Sequence, residues 1–166
     1  MCHNALQERV DSVGIQLIIA GYAPAPCRRY QHRVHAEITR DRRATDSRVP
    51  GRSRHDDVEI TRVIDGLSPL LFAWCASGAR SEEVQLLLTR SLPPPGGDTP
   101  SPPDESRFCF TLSDVILTSA FSSTDAAEPD GPPLETLTLS YGRIAWTWLG
   151  GEEPVTTTWN VSEGRP

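Results

Sequence analysis

Apolar and polar residues alternate along much of the chain with the period of two that half-buried strands require. Ile15–Tyr22 is a mostly apolar run closed by Gly21 and the Pro24/Pro26 pair, which predicts a buried first strand. Arg33–Thr39 sets Val34, Ala36 and Ile38 against His35, Glu37 and Thr39, so a second strand with one buried face follows. Arg40–Asp56 has no periodicity and contains Pro50-Gly51, and it reads as a loop. Val58–Ile64 returns to strand, with Val58, Ile60 and Ile64 on one face and Arg62 interrupting it. The pattern then changes period. Ser68 is a suitable N-cap, Pro69 suits the first helical position and Gly78 the C′ residue. Leu70, Leu71, Trp74 and Cys75 would form one apolar stripe on this short helix. Such a helix is stable only with that stripe buried against a sheet.

Val84–Leu88 predicts a short strand, and residues 92–106 then collect six prolines and two glycines. Proline lacks the N–H a ladder needs and glycine is too free, so this segment is expected to be a surface hairpin loop of extended character. A polyproline ligand is the less expected reading. Phe108–Thr118 alternates again, Ser122–Pro133 is a polar loop, and Leu134–Trp148 is the longest strand. In that strand Leu137, Leu139 and Tyr141 share a face until Gly142 bends it, after which Ile144, Trp146 and Trp148 continue the apolar side. Val155–Val161 would add an edge strand. The expected fold class is mainly β: a small barrel or sandwich with one α-helix packed outside it. Residues 15–148 would form one domain, with 1–14 a polar leader and 149–166 a tail.

Composition supports one core. The chain has 166 residues, which suits one domain, and its 37% hydrophobic residues with the 12 glycines come near the globular norm of about 45–50%. No apolar run approaches the ~18 residues of a membrane span, so no membrane insertion is expected. Glu8, Arg9 and Asp11 occupy the place of a signal peptide's apolar region, so a cytosolic origin is expected. Cys2, Cys27, Cys75 and Cys109 show no repeated spacing; free thiols are expected, with Cys75 and Cys109 as small core residues.

Charge changes the picture more. All 16 basic side chains are arginine; residues 1–64 carry a net +3 and residues 65–166 a net −9. Arg40, Arg42, Arg43, Arg48, Arg52 and Arg54 cluster, but Asp41, Asp46, Asp56 and Asp57 are mixed among them. No aromatic is interleaved for base stacking, so nucleic acid is not the expected partner. A solvated polar loop, or a loop that meets the acidic face of another subunit, fits better.

Candidate chemistry is sparse. His55-Asp56-Asp57 has the makings of an acid/base fragment without a nucleophile at a readable spacing, and a turn before a strand explains it better. Cys27, His32 and His35 would supply three metal ligands in no common zinc spacing, so neither metal nor cofactor is expected. Phosphate-cradling glycine loops, nucleophile elbows and zinc-protease helices are missing from the sequence. Trp74, Trp146 and Trp148 lie on apolar phases and read as core. No enzyme activity is expected.

Two stretches say more. Residues 61–78 hold Thr61, Arg62, Ile64, Asp65, Ser68, Pro69, Leu71, Cys75, Ser77 and Gly78 in the order "T-R-x-I-D-x-x-S-P-x-L … C-x-S-G". Residues 112–148 hold Leu112, Asp114, Val115, Ile116 and Ser119, then Pro133, Glu135, Leu137, Thr138, Leu139, Tyr141, Gly142, Arg143, Ile144, Trp146 and Trp148. Both resemble motifs of the Hcp (hemolysin-coregulated protein) family, the inner-tube proteins of bacterial type VI secretion. The N-terminal third is similar in outline only: 23–30 replaces a usual turn of the family and 40–46 a usual strand end, and the proline-rich loop is longer.

The resemblance implies a β-barrel of two sheets with a helix at its side, self-assembled into hexameric rings that stack head to tail inside a contractile sheath beneath a spike. Small effectors would ride in the lumen, and contraction would secrete the tube without a signal peptide. Thr61, Asp65, Ser68, Pro69, Gly78, Asp114, Glu135, Tyr141, Gly142 and Trp146 would be structural. Arg42, Arg43, Arg48, Arg52 and Arg54 are the candidates for contact with a neighbouring subunit or ring. A tube of another contractile injection particle or phage-like tail is a close alternative. A monomeric β-barrel module binding peptide or carbohydrate is the alternative of a different class.

Overall fold

In the computed structural model, residues 13–40, 48–92, 104–124 and 131–165 are described. The chain runs through β1 (Val13–Ile19), β2 (Ala25–Cys27), β3 (Arg29–Gln31), β4 (Val34–Arg40), β5 (Arg48–His55) and β6 (Val58–Val63). Helix α1 (Ser68–Ser77) follows, then β7 (Arg80–Leu92), β8 (Asp104–Ser123), β9 (Leu134–Trp148) and β10 (Val155–Asn160).

The main sheet has eight strands in the order β2-β1-β7-β8-β9-β6-β3, with β10 also on β9. Its two ends, β2 and β3, are neighbours in the chain and only Arg28 separates them, so the sheet rolls to near closure. The Arg28 N–H donates to the Thr61 carbonyl at 2.8 Å and ties that corner down. Closure removes the open edges a flat sheet would expose. Leu17, Ile60, Leu86, Leu112, Leu137 and Ile144 fill the interior, each 1% exposed or less.

The long strands depend on irregularities. β8 and β9 pair from Phe108↔Trp148 to Ser123↔Leu134, with a register shift between Leu117 and Ser119. Buried positions change phase at the same level on both strands: Leu112 to Val115 on β8, Tyr141 to Ile144 on β9. Asp114 takes a left-handed φ of 55° there. Its partner position is Gly142, where an added Cβ would meet the Asp114 carboxylate at 3.0 Å. The sequence therefore bends both strands at once and keeps one continuous core face.

Helix α1 departs from expectation at its start. Leu67 is the N-cap and makes no side-chain cap. The Ser68 hydroxyl instead accepts the Asp65 N–H at 3.0 Å, while Asp65 Oδ1 accepts the Leu67 N–H at 2.8 Å. Gly78 ends the helix in the left-handed conformation, its N–H donating to the Cys75 carbonyl. Leu71 is buried and Leu67, Trp74 and Cys75 pack against the core, whereas Leu70 is 49% exposed. The stripe thus falls at i, i+4, i+7 and i+8, and Leu70 lies outside it.

Other expectations are also corrected. The stretch 40–56 is not all loop: β5 pairs with β4 as a separate two-stranded sheet, with an irregularity between Ala36 and Ile38. Cys75 and Cys109 are half-buried free thiols, of which only Cys75 packs against the core, and Trp148 is 40% exposed. The leader through residue 12 and most of the proline-rich loop lie outside the described residues.

Candidate assembly surfaces

Arg62, which interrupts the apolar face of β6, is fully buried. It stands opposite Glu135 of β9, also fully buried, and donates to Glu135 Oε1 at 2.5 Å. Its other terminal nitrogen pairs with Asp65, whose own contacts shape the start of α1. Burial alone would lower the Arg62 pKa, but hydrogen bonds and charge from Asp65 and Glu135 hold it above its ordinary value. The Arg62 hydrogen bond holds Asp65 below the usual carboxylate range. Thr61 and Thr136 hydroxyls meet at 3.3 Å beside this pair. The motif residues Glu135, Asp65 and Ser68 are thus one network through Arg62 that joins β9, β6 and the helix, and Thr61 adds a separate cross-strand contact with Thr136.

Asp114 and Gly142 form the strand bend, and Asp114 is ion-paired with Arg80 at 2.5 Å. Tyr141 and Trp146 belong to a third cluster at the root of the β4–β5 arm. The Tyr141 hydroxyl lies 2.7 Å from His32 Nε2, 3.5 Å from His55 Nδ1 and 3.4 Å from the Asp56 carbonyl. The His55 ring stacks on Trp159 of β10 at 5.8 Å and 16°, and lies 6.0 Å from Trp146. Burial lowers the His55 pKa; burial and the nearby His55 lower that of His32, against a small opposing pull from Asp56. Burial, then the charges of Asp57 and Asp56, push the Tyr141 hydroxyl well up. Spacing in sequence could not show that these rings meet, because they come from four separate segments.

His32, Cys27 and His35 do not converge. Cys27 packs against the core with its thiol pushed up to about 11 by burial, whereas His35 is exposed on the arm. Among the described residues no group of three or more His, Cys, Asp or Glu is arranged to hold a metal ion. Asp56 and Asp57 form the link between β5 and β6, and the Asp56 N–H donates to the Arg33 carbonyl at 3.0 Å.

The arm itself carries the arginine candidates. Arg52 and Arg54 are exposed on β5, and Arg52 donates to the Ser162 carbonyl at 3.0 Å, which ties the arm to the C-terminal segment. Arg48 begins β5; Arg42 and Arg43 lie outside the described residues. Val34, Ala36 and Ile38 share one face of β4 and are all exposed, Val34 by 46% and Ile38 by 61%. Sequence alternation finds this face but assigns it to the core.

A second surface is a trough of about 210 Å³ between α1 and the end of β1, lined by Ile19, Tyr22, Leu67, Leu70, Leu71 and Trp74. It runs on into a shallower groove of about 360 Å³ that reaches Pro26. Tyr22 and Leu70 form an exposed apolar rim, at 46% and 49%.

A nearly closed main sheet, a lateral helix and a two-stranded arm standing off it define a mainly-β barrel whose prominent features are exposed surfaces. The profile of the family described as "Type VI secretion system effector, Hcp" matches residues 26–148. The chain belongs to the Hcp family, whose members are structural, secreted proteins of type VI secretion systems rather than a known enzyme family. Solved structures agree in fold. The crystal structure of Hcp1 from Salmonella typhimurium is 17% identical, with a TM-score of 0.68 over 92% of this chain and 97% of that one. A structure described as a type six secretion system protein reaches 0.71 at 13% identity over 93% and 99%. Secreted protein Hcp3 from Pseudomonas aeruginosa gives 0.58 at 16% over 91% and 98%. No curated protein matches the sequence. Among the described residues no helix is long and apolar enough to cross a membrane.

Proposed function

We propose that this chain is a non-catalytic subunit of the type VI inner tube. Copies assemble in the cytoplasm into hexameric rings, the rings stack head to tail within the sheath and beneath the spike, and small effectors travel in the lumen. Contraction then exports the tube.

The observation that carries this reading, beyond family membership, is the β4–β5 arm. Two strands alone are marginal in water, and this pair leaves an apolar face uncovered. A contact with another copy would cover it. The charge asymmetry adds direction: a basic first part, net +3, can meet an acidic remainder, net −9, on a neighbour. In this reading Arg42, Arg43, Arg48, Arg52 and Arg54 face acids of the next subunit or ring.

Negative-stain microscopy of the purified protein tests the proposal. Uniform rings with a central hole are expected; a monodisperse monomer at high concentration overturns it. Charge reversal of Arg42, Arg43 and Arg48 together is expected to weaken stacking and its salt dependence. Tubes of normal stability with unchanged salt dependence after that change would remove the arginines from the contact.

A further inference from the structure

Histidines stand at both chain crossings between the barrel and the β4–β5 arm. His32 precedes β4 by two residues, and His55 is the last residue of β5, paired with Val34 at the first rung of the arm. Both rings are half-buried and reach one phenol of β9: the Tyr141 hydroxyl lies 2.7 Å from His32 Nε2 and 3.5 Å from His55 Nδ1. The two imidazole centroids are 6.4 Å apart. We infer that this pair is an acid-sensitive latch, which holds the arm against the barrel while the rings are neutral and releases it once both are protonated. The latch lies within one chain and does not depend on the tube reading.

The arm's strands pair with each other and with no strand of the main sheet. Side chains hold its root instead. His55 stacks on Trp159 of β10 at 5.8 Å and 16°, and His32 meets Phe110 of β8 edge-on at 5.8 Å. Beyond the root, Arg52 binds the Ser162 carbonyl. Swinging the arm about its root therefore breaks side-chain contacts but no ladder bond of the barrel, so a change at the two rings can decide where the arm sits.

Protonation makes that change. With both rings charged, each nitrogen facing the phenol is a donor, so the Tyr141 oxygen must accept twice, and two like charges stand 6.4 Å apart in a half-buried site. Asp56, Asp57 and Glu59 surround a hollow of about 260 Å³ beside His32 and favour its first proton. Arg33, in the same hollow, pairs with Asp56 at 3.9 Å, and Gln31 donates to Glu59 at 2.8 Å. Arg54, next to His55 on β5, alternates to the other side of the strand and is exposed. From β8, β9 and β10 the rings meet Phe110, Tyr141, Trp146 and Trp159, of which only the phenol titrates. The Trp159 face can hold one imidazolium, so the second proton is the one that releases. The pKa directions agree. Burial lowers both histidines and the neighbouring His55 lowers His32 further, against a smaller pull from Asp56. Protons therefore bind more readily once the arm is open, and opening grows as pH falls below the ordinary 6.5.

Amide exchange of the full chain at pH 7.5 and 5.5, each with added urea below the unfolding transition, tests the latch. In β4 and β5, protection corrected for the intrinsic rate should fall by about tenfold between the two pH values. That opening should hardly respond to urea, because it exposes little surface, whereas β8 and β9 exchange through a urea-sensitive opening of the whole barrel. His32→Gln with His55→Gln should cut the fall to within about twofold; if that pair does not fold, His32→Gln alone should cut it to about threefold. A low and a high protein concentration separate the latch, which is independent of concentration, from contacts between copies. Arm protection that does not change with pH overturns the latch, as does an arm that follows the barrel's urea response at both pH values. A fall that survives the histidine replacements overturns it too, since other groups then carry it. A fall seen only at high concentration assigns the effect to contacts between copies and likewise overturns it.

Discussion

Replacing Glu135 by leucine leaves the Arg62 guanidinium buried with one counter-charge instead of two. Both side chains of the native pair are fully buried, so water cannot take over the lost contact without entering the barrel. Removing one partner of a buried pair costs about 3–5 kcal/mol. Asp65 still reaches Arg62 and its side chain is 46% exposed, so part of the charge stays compensated and the low end, about 3 kcal/mol, is expected. For a chain of this size that lowers Tm by about 6–12 °C. The double replacement Arg62→Met with Glu135→Leu should recover most of the loss, because it removes the cost of burying both charges. That cost is real here: Arg62 Nε and Glu135 Oε2 are buried without a hydrogen-bond partner. Thermal and urea unfolding followed by circular dichroism, at one fixed concentration so that assembly does not shift Tm, measures all three variants. A loss under about 1 kcal/mol for Glu135→Leu, or a double variant as weak as the single, would refute the account of Arg62 as a charge held by Glu135.

Gly142→Ala should cost about 1–3 kcal/mol in urea unfolding, since the new Cβ would press on an Asp114 carboxylate already held by Arg80. The His32 and His55 pKa values are both lowered in the fold, so the unfolded chain binds protons more readily there. The stability this reflects is present above their ordinary value of 6.5 and is lost as pH falls below it. Tm measured from pH 7.5 to 5.5 should therefore drop, and less steeply once both are replaced by glutamine. Arg52→Ala removes the bond to the Ser162 carbonyl and should speed amide exchange in β5 and residues 160–165, with little change in Tm.

Much of the fold was legible because strand alternation is a local consequence of which face meets water. Residues 58–63, 134–148 and the start of β1 declared themselves this way, as did the helix through Pro69 and Gly78. The arm misled the same reasoning: Val34, Ala36 and Ile38 alternate as core residues do, yet lie on an exposed face. An apolar face signals that something covers it, not that the covering comes from the same chain. Arg62 shows the converse, a charge that breaks the pattern locally and is answered by a residue 73 positions away.

The sequence by itself determined the long strands of the barrel, the helix with its Gly78 terminus and the bend at Gly142, because each follows from side-chain period, backbone freedom or a missing N–H. Its motifs also determined the family. Only the tertiary structure decided that β2 and β3 close the sheet, that β5 exists, and that His32, His55, Tyr141 and Trp159 meet at the arm's root. Those outcomes depend on register between segments far apart in the chain, and local periodicity carries no information about which distant partner a strand will find.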